Sequence, residues 1–302
     1  MHGKIRHIYK TIIRDFIYYL AVVFLFLIKL IPCNYLVNLG SFLGFLFFKF
    51  AKDRKQVIEN LHIAFPEKSD TEIQKIKADF SKHLGKSLFE FLSLNNLKGK
   101  DFEKLFYFVG KENLDAALKN GKGVILLTGH IGNWEFTGAY LASIGYPINV
   151  VAKKIYDERL NDILVGIRQA KCVKSLLRTE STKEMIKALK NNECLGILID
   201  QDTSVKGCFV DFFGKKCFTP IGASVMALKY NAVVLPVFTC RIENNRHLIE
   251  IQKPIEMIIS GNHDEDVVKN TQKFNDIIEQ QIRKYPAQWV WVHKRWKTKA
   301  GI

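Results

Sequence analysis

Apolar and polar positions fall into distinct regimes along the chain. Phe16 to Ile28 is an unbroken apolar run of thirteen residues, and Leu36 to Phe48 is a second of thirteen, interrupted only by Asn38 and Ser41. As helices, each run reaches about 20 Å at 1.5 Å per residue, short of the roughly 30 Å hydrocarbon core of a bilayer. Arg6, Lys10 and Arg14 precede the first run, and Lys49, Lys52, Arg54 and Lys55 follow the second. Positive charge on both flanks disfavours a single crossing and predicts either a hairpin or helices lying in one membrane face. No small-residue cleavage site follows the first run, which predicts an anchor rather than a removed leader. Gly40 and Gly44 form a G-x-x-x-G face on which the two helices can pack, or they merely thin a core-facing helix.

From Ser69 the pattern is that of a globular chain. Ser69 and Glu72 make a capping box, and Ile73, Ile76, Phe80, Leu84, Leu88, Phe91 and Leu94 recur at helical spacing, which predicts a long covering helix. Asn95 to Lys104 reads as a polar loop. Short apolar runs then alternate with helical periods. Val124–Leu127, residues 148–152 and 194–199 predict buried strands, Glu135 to Ile144 a helix, and Thr219-Pro220 the opening of a helix over Ile221–Lys229. Val233–Cys240 and Leu248–Gln252 predict two more strands, the second antiparallel at an edge, and Asp264–Lys284 a final amphipathic helix. The alternation predicts an α/β fold with a central mixed β-sheet flanked by helices. The chain divides into a membrane-anchoring segment, residues 1–50, and a catalytic domain, residues 51–302. Trp289 and Trp291 alternate with Val290 and Val292 and share one face if extended, as core residues do. Three of the four tryptophans beside six basic residues also resemble a membrane-surface anchor.

Charge changes the picture at the two ends. The chain of 302 residues has a net charge of +15, and +12 of it lies in residues 1–60 and 283–302, which hold nine Lys/Arg to three Asp/Glu and six to none. Basic ends attract anionic lipid headgroups, phosphorylated substrates or an acidic carrier protein. No recognised nucleic-acid module accompanies the charge, so nucleic acid is not an expected partner. Six cysteines, at 33, 172, 194, 208, 217 and 240, form no C-x-x-C pair and no Cys/His ligand group, which predicts a reducing compartment, no structural metal and no cofactor.

The chemistry concentrates at one junction. The run ending in Leu127 stops at Thr128-Gly129 and delivers His130 and, five positions later, Glu135 where a strand hands over to a helix, the usual place for reactive groups in an open α/β sheet. On one continuous helix two residues five apart would point about 140° away from each other, but Gly132 and Asn133 let the chain bend. If the two side chains converge, the carboxylate holds the imidazole tautomer while the other nitrogen takes a proton from a hydroxyl. The alternative is a loop histidine beside a glutamate that is favourable at a helix N-terminus. Asp200 ends the strand at 194–199. If that strand runs parallel to Val124–Leu127, Asp200 shares an edge with His130 as a structural or substrate-orienting carboxylate. A metal held by Asp200 and Asp202 is the competing reading, and it lacks a third ligand nearby.

His130-Ile-Gly-Asn-Trp-Glu135 resembles the H-x4-E signature of the late (secondary) lipid A acyltransferases, the lauroyl/myristoyl transferase family of Gram-negative bacteria. Asp200-Gln201, Phe212-Phe213-Gly214 with Thr219, and Pro286 to Trp296 resemble further blocks of that family in the same order. The likeness runs from about Arg54 to Trp296. It implies a glycerolipid-acyltransferase-like fold at the cytoplasmic face of the cell inner membrane. The implied reaction moves a fatty acyl chain from acyl carrier protein, or coenzyme A, to a hydroxyl of a Kdo-bearing lipid A precursor. It implies His130 as base and Glu135 as its orienting partner, with Arg159 clamping a phosphate or steadying an oxyanion, Arg178 as a weaker phosphate-facing residue, and Asp200 and Asn133 in support. The same signature resembles acyltransferases of phosphatidylinositol mannosides. A basic membrane-bound scaffold with a vestigial dyad is the non-catalytic alternative.

Overall fold

The computed structural model describes residues 2–177 and 182–299. The apolar front forms α1 (His2–Ile28) and α2 (Cys33–Phe50), and α3 (Arg54–Ala64) and α4 (Asp70–Leu92) follow. The first helix is 27 residues, not thirteen, so its basic preface and apolar run make one rod of about 40 Å at 1.5 Å per residue. The chain then runs α5 (Gly99–Leu105), β1 (Phe106–Val109), α6 (Lys111–Lys119), β2 (Val124–Thr128), α7 (Trp134–Ser143), β3 (Ile148–Ala152), α8 (Glu158–Gln169), β4 (Lys174–Leu177), α9 (Thr182–Lys190) and β5 (Cys194–Leu198). A hairpin of β6 (Gly207–Phe212) and β7 (Lys215–Pro220) precedes α10 (Gly222–Tyr230), β8 (Val233–Arg241), β9 (His247–Ile251) and α11 (His263–Lys284).

Seven strands form one sheet in the order β1-β9-β8-β2-β5-β3-β4. Only the β8–β9 pair is antiparallel, so the sheet is mixed, as the alternation predicts. The expected edge at residues 248–252 is covered, because β1 pairs parallel with β9. That strand lies just beyond the stretch read as a polar loop, which itself folds into a short 3-10 turn and α5. Four apolar residues are too short a run to stand out as a strand.

The sheet carries a core on each face. Val124, Leu126, Ile148 and Cys194 pack with α7 and α8 through Phe136, Ala139, Leu141 and Ile167. Ile125, Leu127, Leu195 and Ile197 pack with α9, α10 and α11 through Met185, Ala223, Phe274 and Ile278. Strand alternation distributes each apolar run over both faces, which is why these strands read as continuous.

The helix α4 has the capping box its sequence announces: Glu72 N–H donates to Ser69 Oγ, and the Glu72 carboxylate accepts from the Ser69 backbone. The glycine face of α2 meets α4 rather than α1. A Cβ at Gly40 would lie 2.6 Å from the Gly85 carbonyl oxygen, and one at Gly85 would strike the Gly40 carbonyl. Three small residues therefore let two backbones touch, the device that close helix crossings use in any solvent. Of the two readings of the tryptophan pair the core one holds: Trp289 and Trp291 are buried, with ring centroids 4.6 Å apart.

Gly85→Ala is expected to wedge α2 away from α4 and destabilise the protein by about 1–3 kcal/mol, the usual cost of overpacking. A detergent-solubilised thermal melt indistinguishable from wild type would show that the crossing tolerates a methyl group and is looser than these contacts require.

Candidate active site

The register of the sheet builds the site. The strand β2 pairs parallel with β5, Val124 opposite Cys194 and Thr128 opposite Leu198, so His130 and Asp200 emerge two residues past the same point of the same edge. His130 Nδ1 lies 2.8 Å from Asp200 Oδ1, and its backbone N–H donates to Oδ2 at 2.6 Å. Trp289 Nε1–H donates to the same oxygen at 2.7 Å. Gly129 leaves room for this, since a Cβ there would sit 3.0 Å from Asp200 Oδ2. Asp200 is fully buried. Burial alone would raise its pKa, but the His130 charge and these hydrogen bonds outweigh burial and bring it down to about 2. A carboxylate on Nδ1 fixes the proton there and leaves Nε2 as an acceptor.

The bend between His130 and α7 is clamped from three sides. Gly132 has φ +62° and backs onto the Thr239 carbonyl, where a side chain would collide. Its N–H donates to Gln288 O, the Asn133 N–H donates to Thr239 O, and His83 Nε2 of α4 hydrogen-bonds the Gly132 carbonyl at 3.1 Å. Asn133 is buried and donates to Glu90 Oε2 at 2.9 Å. Glu90 also binds Arg241 Nη2 at 2.7 Å and His247 Nε2 at 3.1 Å. Burial works against the Glu90 charge, and His247 and Arg241 overcome it. Asn133 thus shapes the bend from behind and does not line the cavity.

Glu135 stands on the first turn of α7 and points towards α8. Both of its oxygens are taken by one guanidinium, from Arg168 Nε at 2.8 Å and Nη2 at 2.6 Å. No hydrogen bond joins it to His130 among the described residues. The expected His130–Glu135 hydrogen bond is therefore replaced by two pairs, His130–Asp200 and Glu135–Arg168. The five-residue spacing brings both motif residues to one cavity but aims the second across it. Arg159 holds Asp157 Oδ2 at 3.0 Å and Asp15 Oδ1 of α1 at 2.8 Å, with its guanidinium 4.5 Å from the centre of the Tyr18 ring. It does not line the cavity, whereas Arg168 does. Arg178 lies outside the described residues. Asp202 diverges from Asp200 to accept from the Thr298 N–H at 2.9 Å and lies 3.7 Å from Lys297 Nζ, so the two carboxylates do not share a centre.

The cavity they border measures about 1040 Å³ and is largely aliphatic, with Leu126, Ile148, Val150, Ile197 and Met226 in its walls and His130, Trp134, Glu135 and Arg168 at the strand edge. Sequence reasoning passed over Arg168 as one more charge on a helix face. It also passed over Glu90, although a carboxylate inside the run Leu88-Phe89-Glu90-Phe91-Leu92 is the kind of buried charge that needs a partner.

The fold is thus a mixed α/β sheet with a histidine–aspartate pair at its strand edge, opening on an aliphatic cavity. The profile of the bacterial lipid A biosynthesis acyltransferases matches residues 4–298, and the chain belongs to that family. It is 25% identical to the lipid A biosynthesis lauroyltransferase of Escherichia coli K12 over 289 residues, 95% of this chain and 93% of that one. It is 24% identical to a lipid A biosynthesis acyltransferase of Haemophilus influenzae over 93% of this chain and 87% of that one. A phosphatidylinositol mannoside acyltransferase of Mycobacterium tuberculosis is 27% identical over 191 residues, 62% of this chain but only 58% of its own length.

Buried titratable groups make the fold acid-labile, His83 and Asp200 among them, and burial lowers His247 and His293 as well. Burial, helped by the Arg241 charge, pushes His83 down to about 3 from its ordinary 6.5, and Asp200 is lowered to about 2 from 3.8. In both cases the unfolded chain binds the proton first, so stability rises with pH across the window. The His83 contribution should be lost as pH falls from about 6.5 towards 3, and that of Asp200 as pH falls from about 4 towards 2. Urea midpoints measured against pH should fall below pH ~6.5 in wild type and fall less steeply there in His83→Gln, with His247 and His293 keeping part of the slope. An equally steep fall in the variant would remove His83 as the cause.

Proposed function

We propose that this protein transfers a fatty acyl chain from a thioester to a hydroxyl of a lipid A precursor. The observation that carries the proposal is an aliphatic cavity ending at a histidine whose Nδ1 is held by a buried carboxylate. In this reading His130 Nε2 takes the proton of the acceptor hydroxyl as its oxygen attacks the thioester carbonyl. The Asp200 carboxylate stabilises the imidazolium. Collapse of the tetrahedral intermediate breaks the carbon–sulfur bond, and the departing thiolate takes the proton from Nε2. Arg168, oriented and half-neutralised by Glu135, lies where it can face a phosphate or the developing oxyanion. No step calls for a metal or a cofactor.

The donor in this reading is acyl carrier protein, or coenzyme A, drawn by the basic surface. The acceptor is a Kdo-bearing precursor, and the chain works on the cytoplasmic face of the inner membrane of a Gram-negative cell with a glycerolipid-acyltransferase-like fold. Membrane attachment is supported by α1, on which Phe16, Tyr19, Leu20, Val23 and Phe26 are all more than half exposed. The mycobacterial relative keeps a phosphorylated glycolipid acceptor open as a second reading, separable by mass spectrometry of the acylated product.

His130→Ala and Asp200→Asn are each expected to lower transfer by about 10²–10⁴, the worth of positioned acid–base catalysis. Arg168→Lys should cost at least about tenfold, because lysine cannot keep the two parallel bonds, while Arg159→Lys stays near wild type. Steady-state transfer at matched expression and circular dichroism reads all four. A silent Asp200→Asn would remove the pair, near-normal rates in every variant would move the chemistry to other residues, and absence of transfer by the wild type would leave the scaffold reading. Separately, removing residues 2–30 should release the protein from vesicles containing anionic lipid and leave the melting temperature of the remainder within a few degrees. Undiminished sedimentation with the vesicles would move the attachment site to the rest of the chain.

A further inference from the structure

The cavity occupies both faces of the sheet. The strands β3 and β5 pair only from Ile148–Cys194 to Val150–Gly196. Beyond that point β5 continues beside β2 as far as Leu198, and β3 continues beside β4 as far as Ala152. The sheet therefore splits at its catalytic edge, and the cavity passes through the split. On the α7/α8 face it is walled by Leu126, Gly138, Ile148, Val150, Val173 and Gly196. On the α9/α10 face it is walled by Val151, Met185, Ile197, Ile221 and Met226. His130 lies at the edge where the two arms meet.

The arms differ at their openings. The α7/α8 arm runs down the sheet and narrows where Gly138 approaches Val173 and Ile148, since a Cβ on Gly138 would lie 3.5 Å and 3.7 Å from their methyl groups. The α9/α10 arm opens beside Lys206 and Lys297, both exposed and both lining the cavity. The cavity's two carboxylates are already engaged, Glu135 by Arg168 and Asp202 by Thr298 with Lys297 alongside. The second opening thus presents Lys206, with Lys297 shared with the buried Asp202, above an aliphatic slot, a complement to an anionic headgroup with a hydrocarbon tail.

Resting on the acyl-transfer reading, we propose that the two arms take two different chains. The α7/α8 arm holds the acyl chain being transferred, and the α9/α10 arm holds a chain already carried by an anionic acceptor lipid. The split in the sheet delivers both to His130, the thioester carbonyl from one side and the hydroxyl from the other. An acceptor that already carries acyl chains is then recognised by one of them, and Met185, Ile221 and Met226 become specificity determinants for the acceptor.

Two variants separate the arms in the full chain. Gly196→Val, whose new side chain is aimed at Val150 across the first arm, should shift the preferred donor towards shorter acyl thioesters and leave acceptor KM within about twofold. Met226→Trp should raise the KM of the multiply acylated acceptor about tenfold or more and leave the rank order of donor chain lengths unchanged. A changed donor rank order in Met226→Trp would overturn the proposal in favour of one long donor tunnel, and an unchanged acceptor KM would overturn it as well. A lysophosphatidic acid with a diazirine at its chain end gives a readout without turnover. Mass spectrometry should place its label on residues 182–190 or 222–230, and labelling confined to residues 124–150 would overturn the second arm. Loss of the acyl-transfer reading itself would be visible separately, as absence of transfer by the wild-type protein whatever the probe labels.

Discussion

The structure turns on one buried carboxylate. Asp200 sits at zero exposure, where an unpaired charge would be prohibitively costly, and so everything within reach of it is arranged to supply hydrogen. Its three partner groups come from two distant parts of the chain: the His130 ring and backbone from the end of β2, and the Trp289 indole from the C-terminal segment. The parallel register of β2 and β5 puts the first two within reach of the carboxylate. The absence of a side chain at Gly129 leaves the gap, and the burial of Trp289 under Phe212 and Trp291 holds the third. Low polarity around the pair makes the interaction strong and equally makes it intolerant of a missing member.

A second ion cluster does for the backbone what Asp200 does for the imidazole. Glu90, Arg241 and His247 form a buried knot between α4 and the β8–β9 strands, and Asn133 is tied to it. The motif loop therefore rests on the covering helix, which in turn rests on α2 through three glycines. The chain of contacts from the apolar front to the reactive histidine is continuous: α2 to Gly85, then His83 to the Gly132 carbonyl. The covering helix is thus part of what positions the His130 loop. On the other side, Arg159 joins α8 to α1 through Asp15. Both partners are partly exposed, so this link stabilises little, but it sets α1 beside the β3–α8 loop, where Tyr156 is 86% exposed.

The divided sheet explains how a small α/β domain can hold so large an apolar space without collapsing. A cavity inside a closed core costs stability in proportion to its volume. Here the space follows a gap between two strand pairs that are each internally hydrogen-bonded, and it opens at the strand edge rather than being a void inside a closed core. The walls are aliphatic, and the polar groups sit at the strand edge, the division of labour expected of a site that holds a hydrocarbon chain and reacts at its end.

Local pattern determined five strands of the sheet and the longest helices, though not β1, β4 or the β6–β7 hairpin, and it placed His130 at the strand edge. Apolar runs bounded by glycine marked β2, β3 and β5, the Ser69/Glu72 box marked the start of α4, and a histidine just past a strand marked the edge where reactive groups collect. These signals survive because each depends on neighbours within a few residues. The partner of each charge was not legible, since pairing across the fold depends on register and on helix rotation, which spacing along the chain does not encode. Five residues separate His130 from Glu135 and seventy separate it from Asp200, yet the strand register brings the distant carboxylate to the imidazole and the α7 axis turns the near one to Arg168. The same reason moved the glycines of α2 from α1 to α4 and drew the guanidinium of Arg159 to α1. Sequence distance decides which backbone forms, and only the packing of sheet against helices decides which side chains meet.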